Sequence, residues 1–144
     1  MSLYLESSAV VSWLLGEPPG DEVARLLNES DEIFSSDLTL LECDRAIRRA
    51  VAVGRLGPGA AGRAAERLAR ESAPWVFHGL DAEILRRASR DFPHEPVRAL
   101  DALHLTTAVV FREIRPGLRL VSFDHRVREN ATALGFEAVP RSSR

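Results

Sequence analysis

Apolar positions recur along the chain with two different periods. Short runs rich in β-branched, leucine and aromatic residues cover 2–6 (SLYLE), 32–35, 75–78, 118–123 and 136–139, and predict strands. Between them, apolar residues spaced three and four apart cover 8–15, 21–29, 38–53, 58–71, 81–91, 100–113 and 125–134, and predict helices. Turn-forming punctuation separates the segments: GEPPG at 16–20, GRLGPG at 54–59, FPHEP at 92–96, RPG at 115–117 and Gly135. Alternation of strand and helix argues for βαβ units, hence an α/β fold with a central parallel sheet of about five strands flanked by helices. One domain is expected over 1–140, with 141–144 as a frayed tail.

Composition narrows this picture. A chain of 144 residues with 45% hydrophobic content can bury one sizeable core. No apolar run approaches the roughly 20 residues of a membrane span, and no basic start precedes an apolar leader, so a soluble cytoplasmic protein is expected. Cys43 is the only cysteine, which excludes an intramolecular disulfide, and its apolar surroundings predict a buried, inert thiol. Nineteen basic against 21 acidic residues give a net charge of −2, so any contact with phosphates must be local. All nineteen basic residues are arginine, the pattern of a GC-rich coding sequence, although arginine also offers phosphate a bidentate fork.

In an open parallel sheet, ligands bind beyond the carboxyl ends of the strands, where strand order reverses. Acids at that edge are therefore informative. Glu6 closes the first predicted strand, and Asp124 closes the run LRLVSF. Glu42, in SSDLTLLECDRAIRRA, and Asp101, in RALDALHLTTAVV, lie in apolar helical segments that give no evident reason for a charge. Each has a simple alternative: Asp124 caps the next helix, Asp101 complements its own helix dipole, Glu42 pairs with Arg45, and Glu6 is a solvated strand end. Taken together, the alternatives weaken. Converging hard oxygen ligands suit Mg²⁺ or Mn²⁺, which can activate water and neutralise phosphate, so phosphodiester hydrolysis is the natural chemistry.

The segments LYLESSAVVSWLLGEP, SSDLTLLECDRAIRRA, VRALDALHLTTAVV and LVSFDHRVRENATALGF resemble, in order and spacing, the successive motifs of a PIN domain of the VapC toxin type. The resemblance runs from Leu3 to about Val139. It implies a Mg²⁺- or Mn²⁺-dependent endoribonuclease leaving a 5′-phosphate and a 3′-hydroxyl. It also implies a cognate antitoxin that occupies the active-site groove, and a homodimer formed through helices. Matched residue by residue, it gives metal-centred catalytic roles to Glu6, Glu42, Asp101 and Asp124, with Ser8 and Ser122 orienting them. The family's first acid is normally aspartate, as in YLDTSA, whereas this chain has Glu6. Two readings follow: a nuclease with altered site geometry, or a PIN-like binding module that has lost hydrolysis.

Arg45 and Arg49 share a helix face with Glu42, and Arg98 and Arg126 lie beside Asp101 and Asp124; all four are candidates for contact with RNA or the antitoxin, against the alternative of solvated, locally paired side chains. Arg48 and Arg128 are weighed in the same way, while Arg86, Arg87 and Arg90 read as a solvated face. The apolar face of 38–53 is either core or a partner surface. Four scattered histidines have no zinc-ligand spacing, and His104 reads as a packed helix residue. No GxSxG turn or glycine-rich phosphate loop is present, so a serine nucleophile and a nucleotide cofactor are not expected. A phosphoacceptor receiver, which depends on lysine, is excluded because the chain has none.

Overall fold

The computed structural model describes residues 1–141, and all five strands and seven helices expected from the pattern are present. In chain order they are β1 (Ser2–Leu5), α1 (Ser7–Leu14), α2 (Gly20–Glu29), β2 (Glu32–Ser36), α3 (Asp37–Ala52), α4 (Pro58–Ser72) and β3 (Val76–His78), then α5 (Ala82–Ala88), α6 (Ala99–Ile114), β4 (Arg119–Val121), α7 (His125–Ala133) and β5 (Ala138–Val139). The sheet order is β3-β2-β1-β4-β5, and every pairing is parallel. The expected tail lies outside the described residues apart from Arg141, which pairs with Glu137 at 3.1 Å.

β1 is central because its residues can satisfy two neighbours and two faces at once. Leu3 pairs with Ile33 and Arg119, Tyr4 with Phe34 and Leu120, and Leu5 with Val121. Side chains alternate across a strand, so Leu3 and Leu5 enter one apolar layer with Val10, Trp13, Cys43 and Ile47, while Tyr4 enters the other with Phe34, Leu105, Phe111 and Leu120. A parallel sheet covered on both faces explains why these strands read as nearly continuous apolar runs. Trp13 and Trp75 are core residues, their rings 6.5 Å apart.

Local chemistry sets the element ends. Ser36 and Asp81 accept from the amides of Leu38 and Ile84 and start α3 and α5. Proline occupies the first position of α4, where its missing N–H leaves no bond unmade. In GEPPG, Gly16 has φ +66°, and Gly20 sits so close to α1 that a Cβ there would meet Ser12 O at 2.6 Å. The apolar face of α3 is consumed by the core through Leu38, Cys43, Ile47 and Ala50, so the helix offers a partner no continuous apolar stripe; Leu41 and Val53 remain exposed.

Candidate active site

Strand order reverses between β1 and β4, and Glu6, Asp101 and Asp124 lie near one another at that edge, while Glu42 on α3 is engaged by His104 instead. The ladder continues one bond past β1, with Glu6 N donating to Val121 O at 3.0 Å, so Glu6 stands directly beside Ser122. Glu6 is then the cap of α1 and almost fully buried. Its Oε1 accepts from Ser7 Oγ at 2.8 Å and Ser8 N at 3.1 Å, and its Oε2 accepts from Ser122 Oγ at 2.7 Å and from Ser8 Oγ. Ser8 Oγ and Ser122 Oγ lie 3.3 Å apart, and each also receives an amide, Phe123 N at 2.9 Å and Asp124 N at 3.1 Å. The longer glutamate arm thus reaches across from β1 to the loop after β4.

Asp124 uses Oδ1 to cap α7, accepting from Arg126 N at 2.9 Å and Val127 N at 3.1 Å. Its Oδ2 lies 3.6 Å from Arg98 Nη2, and Arg98 Nε is 3.4 Å from Asp101 Oδ2. One guanidinium therefore joins the first turn of α6 to the start of α7 across the cleft. Burial, helped by the charges of Asp124 and Glu6, pushes the Asp101 carboxyl above its ordinary value; Arg98 opposes the shift. Asp101, Asp124 and Glu6 therefore share one electrostatic field.

Glu42 does not pair with Arg45. Its Oε1 is 2.6 Å from His104 Nε2, and His104 Nδ1 is 2.9 Å from the Tyr4 hydroxyl. Burial, followed by the charge of Glu6, drives the Tyr4 phenol well above its ordinary value; a Thr107 hydrogen bond opposes this and Glu42 adds to it. His104, expected as a packed helix residue, is indeed buried but engages Glu42, and Tyr4, for which the sequence suggested no role, engages His104. Spacing places both near other site residues, His104 three after Asp101 on α6 and Tyr4 two before Glu6, but does not reveal the contact with Glu42.

Arg98 alone among the four candidate arginines engages the acids with its side chain. Arg45, Arg48 and Arg49 are exposed and line an open recess of about 650 Å³ with Glu42, without an ion pair among the described residues. Arg126 is exposed and touches Asp124 through its backbone amide. Arg128 instead donates to Ser122 O, Val139 O and Pro140 O, binding β4 to β5, and burial lowers its pKa. Arg87 is tied to Glu113 at 2.7 Å. Cys43 is buried as expected, its thiol pushed up to about 12 chiefly by burial.

The donor set fits a hard divalent cation. It offers carboxylate and hydroxyl oxygens and no sulfur, and the Arg98 guanidinium already sits as a cation against two of its acids. Among the described residues no three His, Cys, Asp or Glu side chains form a ready-made cage. Ser122→Ala tests the frame independently of any ion. It removes one donor from buried Glu6 and the acceptor of Asp124 N, and should cost about 1–3 kcal/mol of stability, read as a fall in Tm; Ser122→Thr should restore most of it.

Fold and site together define the class. A PIN-domain family model matches residues 3–133, and the chain belongs to that family. Within it the chain is of the VapC type. It is 34% identical over 139 residues to ribonuclease VapC35 of Mycobacterium tuberculosis strain CDC 1551 / Oshkosh, covering 95% of each chain. It is also 33% identical over 144 residues to ribonuclease VapC46 of M. tuberculosis H37Rv, covering 98% of each. The crystal structure of M. tuberculosis VapC20, a sarcin-ricin loop cleaving toxin, shares the fold with a TM-score of 0.63 at 20% identity, over 93% of this chain and 95% of that one. No helix among the described residues is long and apolar enough to cross a membrane.

Proposed function

We propose that the chain is an Mg²⁺- or Mn²⁺-dependent endoribonuclease toxin that hydrolyses RNA phosphodiester bonds and is restrained by a cognate antitoxin. The observation that carries this is the joining of Asp101 and Asp124 by Arg98 at the reversal of strand order, beside Glu6. The relationship to proteins named as VapC ribonucleases supports RNA as the substrate. Asp101, Asp124, Glu6 and Glu42 would hold the ion. When bound, such an ion supplies charge neutralisation at the phosphate and a more acidic water. Ser8 and Ser122 fix the direction of the Glu6 carboxylate. Arg98, exposed and anchored only by long ion pairs, can turn its fork from the acids to a phosphate. Arg45 and Arg49 extend positive charge along α3 from Glu42, where RNA or the antitoxin would meet it.

The test is incubation of the purified protein with Mn²⁺ or Mg²⁺ and a broad panel of structured RNAs, followed by end analysis. Cleavage leaving 5′-phosphate and 3′-hydroxyl ends, stopped by EDTA, is expected. Intact RNA with both the wild type and Glu6→Asp would rule catalysis out. A second reading, a binding module without hydrolysis, is favoured by one observation: both Glu6 oxygens are engaged by serines. That reading requires negligible Mn²⁺ affinity with antitoxin binding intact, and calorimetry separates the two.

A further inference from the structure

We infer that His104 is a positioning residue that holds the Glu42 carboxylate, and that Tyr4 holds His104. The inference rests on the reading of Glu42 as one of the site acids. The histidine and tyrosine side chains are both fully buried, and the contacts run from β1 through α6 to α3: Tyr4 hydroxyl to Nδ1 at 2.9 Å, Nε2 to Glu42 Oε1 at 2.6 Å. A polar ring in a core is costly unless each nitrogen is satisfied. One arrangement satisfies both with a neutral ring: the phenol donates to Nδ1 and Nε2–H donates to the carboxylate. The tyrosine thereby fixes which nitrogen faces Glu42.

Glu42 needs such a hold. Its side chain is a quarter exposed, it stands on a helix whose neighbouring arginines are exposed and, among the described residues, unpaired, and no hydroxyl among those residues clamps it as Ser8 and Ser122 clamp Glu6. His104 takes Oε1 and leaves Oε2 without a partner among the described residues, on a side chain that lines the recess. Asp101 lies one turn before His104 on α6. The same helix therefore contributes one acid directly and, through His104, holds the side chain of another that stands on α3. Outer partners that orient metal ligands act in this manner.

His104→Gln and His104→Asn test the inference, because both delete the ring but retain different contacts. The longer amide of glutamine reaches the Nε2 position and can donate to Glu42; that of asparagine stops near Nδ1 and reaches only Tyr4. Calorimetry with Mn²⁺, RNA cleavage kinetics and thermal unfolding are measured on each. His104→Asn is expected to weaken Mn²⁺ binding about 10–100-fold and to lower kcat more than it raises KM, whereas His104→Gln stays within about threefold of the wild type. Folded variants with equal losses, or with none, overturn the role of His104. Tyr4→Phe, which keeps the ring packing, covers the case in which neither folds. It should weaken Mn²⁺ binding by roughly 3–10-fold, and unchanged affinity overturns the inference. Folded wild type that binds no Mn²⁺ overturns the metal reading of the site, and this inference with it; wild type that binds while both histidine variants behave alike overturns this inference only.

Discussion

Asp101→Asn is expected to abolish function and strengthen the fold. In the wild type the Asp101 carboxyl is raised by burial, by Asp124 and by Glu6. A carboxyl raised in the folded state stabilises fully below its unfolded value of 3.8, and that contribution is lost as pH rises through the raised value. Near pH 7 the folded protein therefore holds this charge at a cost, which a neutral isostere removes. The lost ion pair with Arg98 is long, its arginine is mostly exposed, and Arg98 keeps Asp124, so little stability goes with it. Metal-free Asp101→Asn should have the higher Tm at pH 7, with the advantage disappearing below about pH 4. Mn²⁺ should raise the Tm of the wild type and not that of the variant. RNA cleavage should fall by about 100-fold or more, since even outer partners of a metal ligand are worth about 10–100-fold. A variant that cleaves within tenfold of the wild type would remove Asp101 from the catalytic set.

Glu6→Gln should move stability in the opposite direction. Glu6 is surrounded by four donors, the hydroxyls of Ser7, Ser8 and Ser122 and the amide of Ser8. An ionised carboxylate can accept all four; an amide brings two donors of its own into a pocket already filled with donors. Hydrogen bonds to charged groups are worth about 1.5–3 kcal/mol, so a loss of about 2 kcal/mol is expected, with Tm lowered by roughly 4–8 °C. Cleavage should fall by a factor comparable to that of Asp101→Asn. The two substitutions remove the same charge from the same edge and should shift Tm in opposite directions. Chemical denaturation at pH 7 is a second readout, and a Glu6→Gln variant as stable as the wild type would show that the serine cage contributes nothing to Glu6.

The sheet was legible in the sequence because β1, β2 and β4 are buried on both faces and therefore read as apolar runs, and the helices because their apolar residues recur every three or four positions. Boundaries drifted where side chains, not periodicity, end an element. Glu6 reads as the last residue of a strand but caps α1, so the helix starts at Ser7 rather than Ser8; Ser122 and Phe123 read as strand but lie past the end of β4, where the Ser122 hydroxyl and the Phe123 amide bond Glu6 and Ser8. Topology explains the acids at strand ends, and their gathering at one edge follows from the order β3-β2-β1-β4-β5. The Tyr4–His104–Glu42 contact was illegible. Its two contacts join positions 100 and 62 residues apart in sequence, and a histidine in an apolar helix has the same signature whether it fills space or holds a carboxylate.

The central place of β1 has a consequence for how the molecule comes into being. The strand pairs on one side with β2, some thirty residues further along the chain, and on the other with β4, nearly ninety residues beyond β2. The cleft lies on that second seam. A growing polypeptide can lay down β1, β2 and the helices between them, but it has no floor on which Glu6 and Asp124 could meet until residue 124 has left the ribosome. A chain that stops short of β4 therefore lacks the seam along which Glu6 and Ser122 meet.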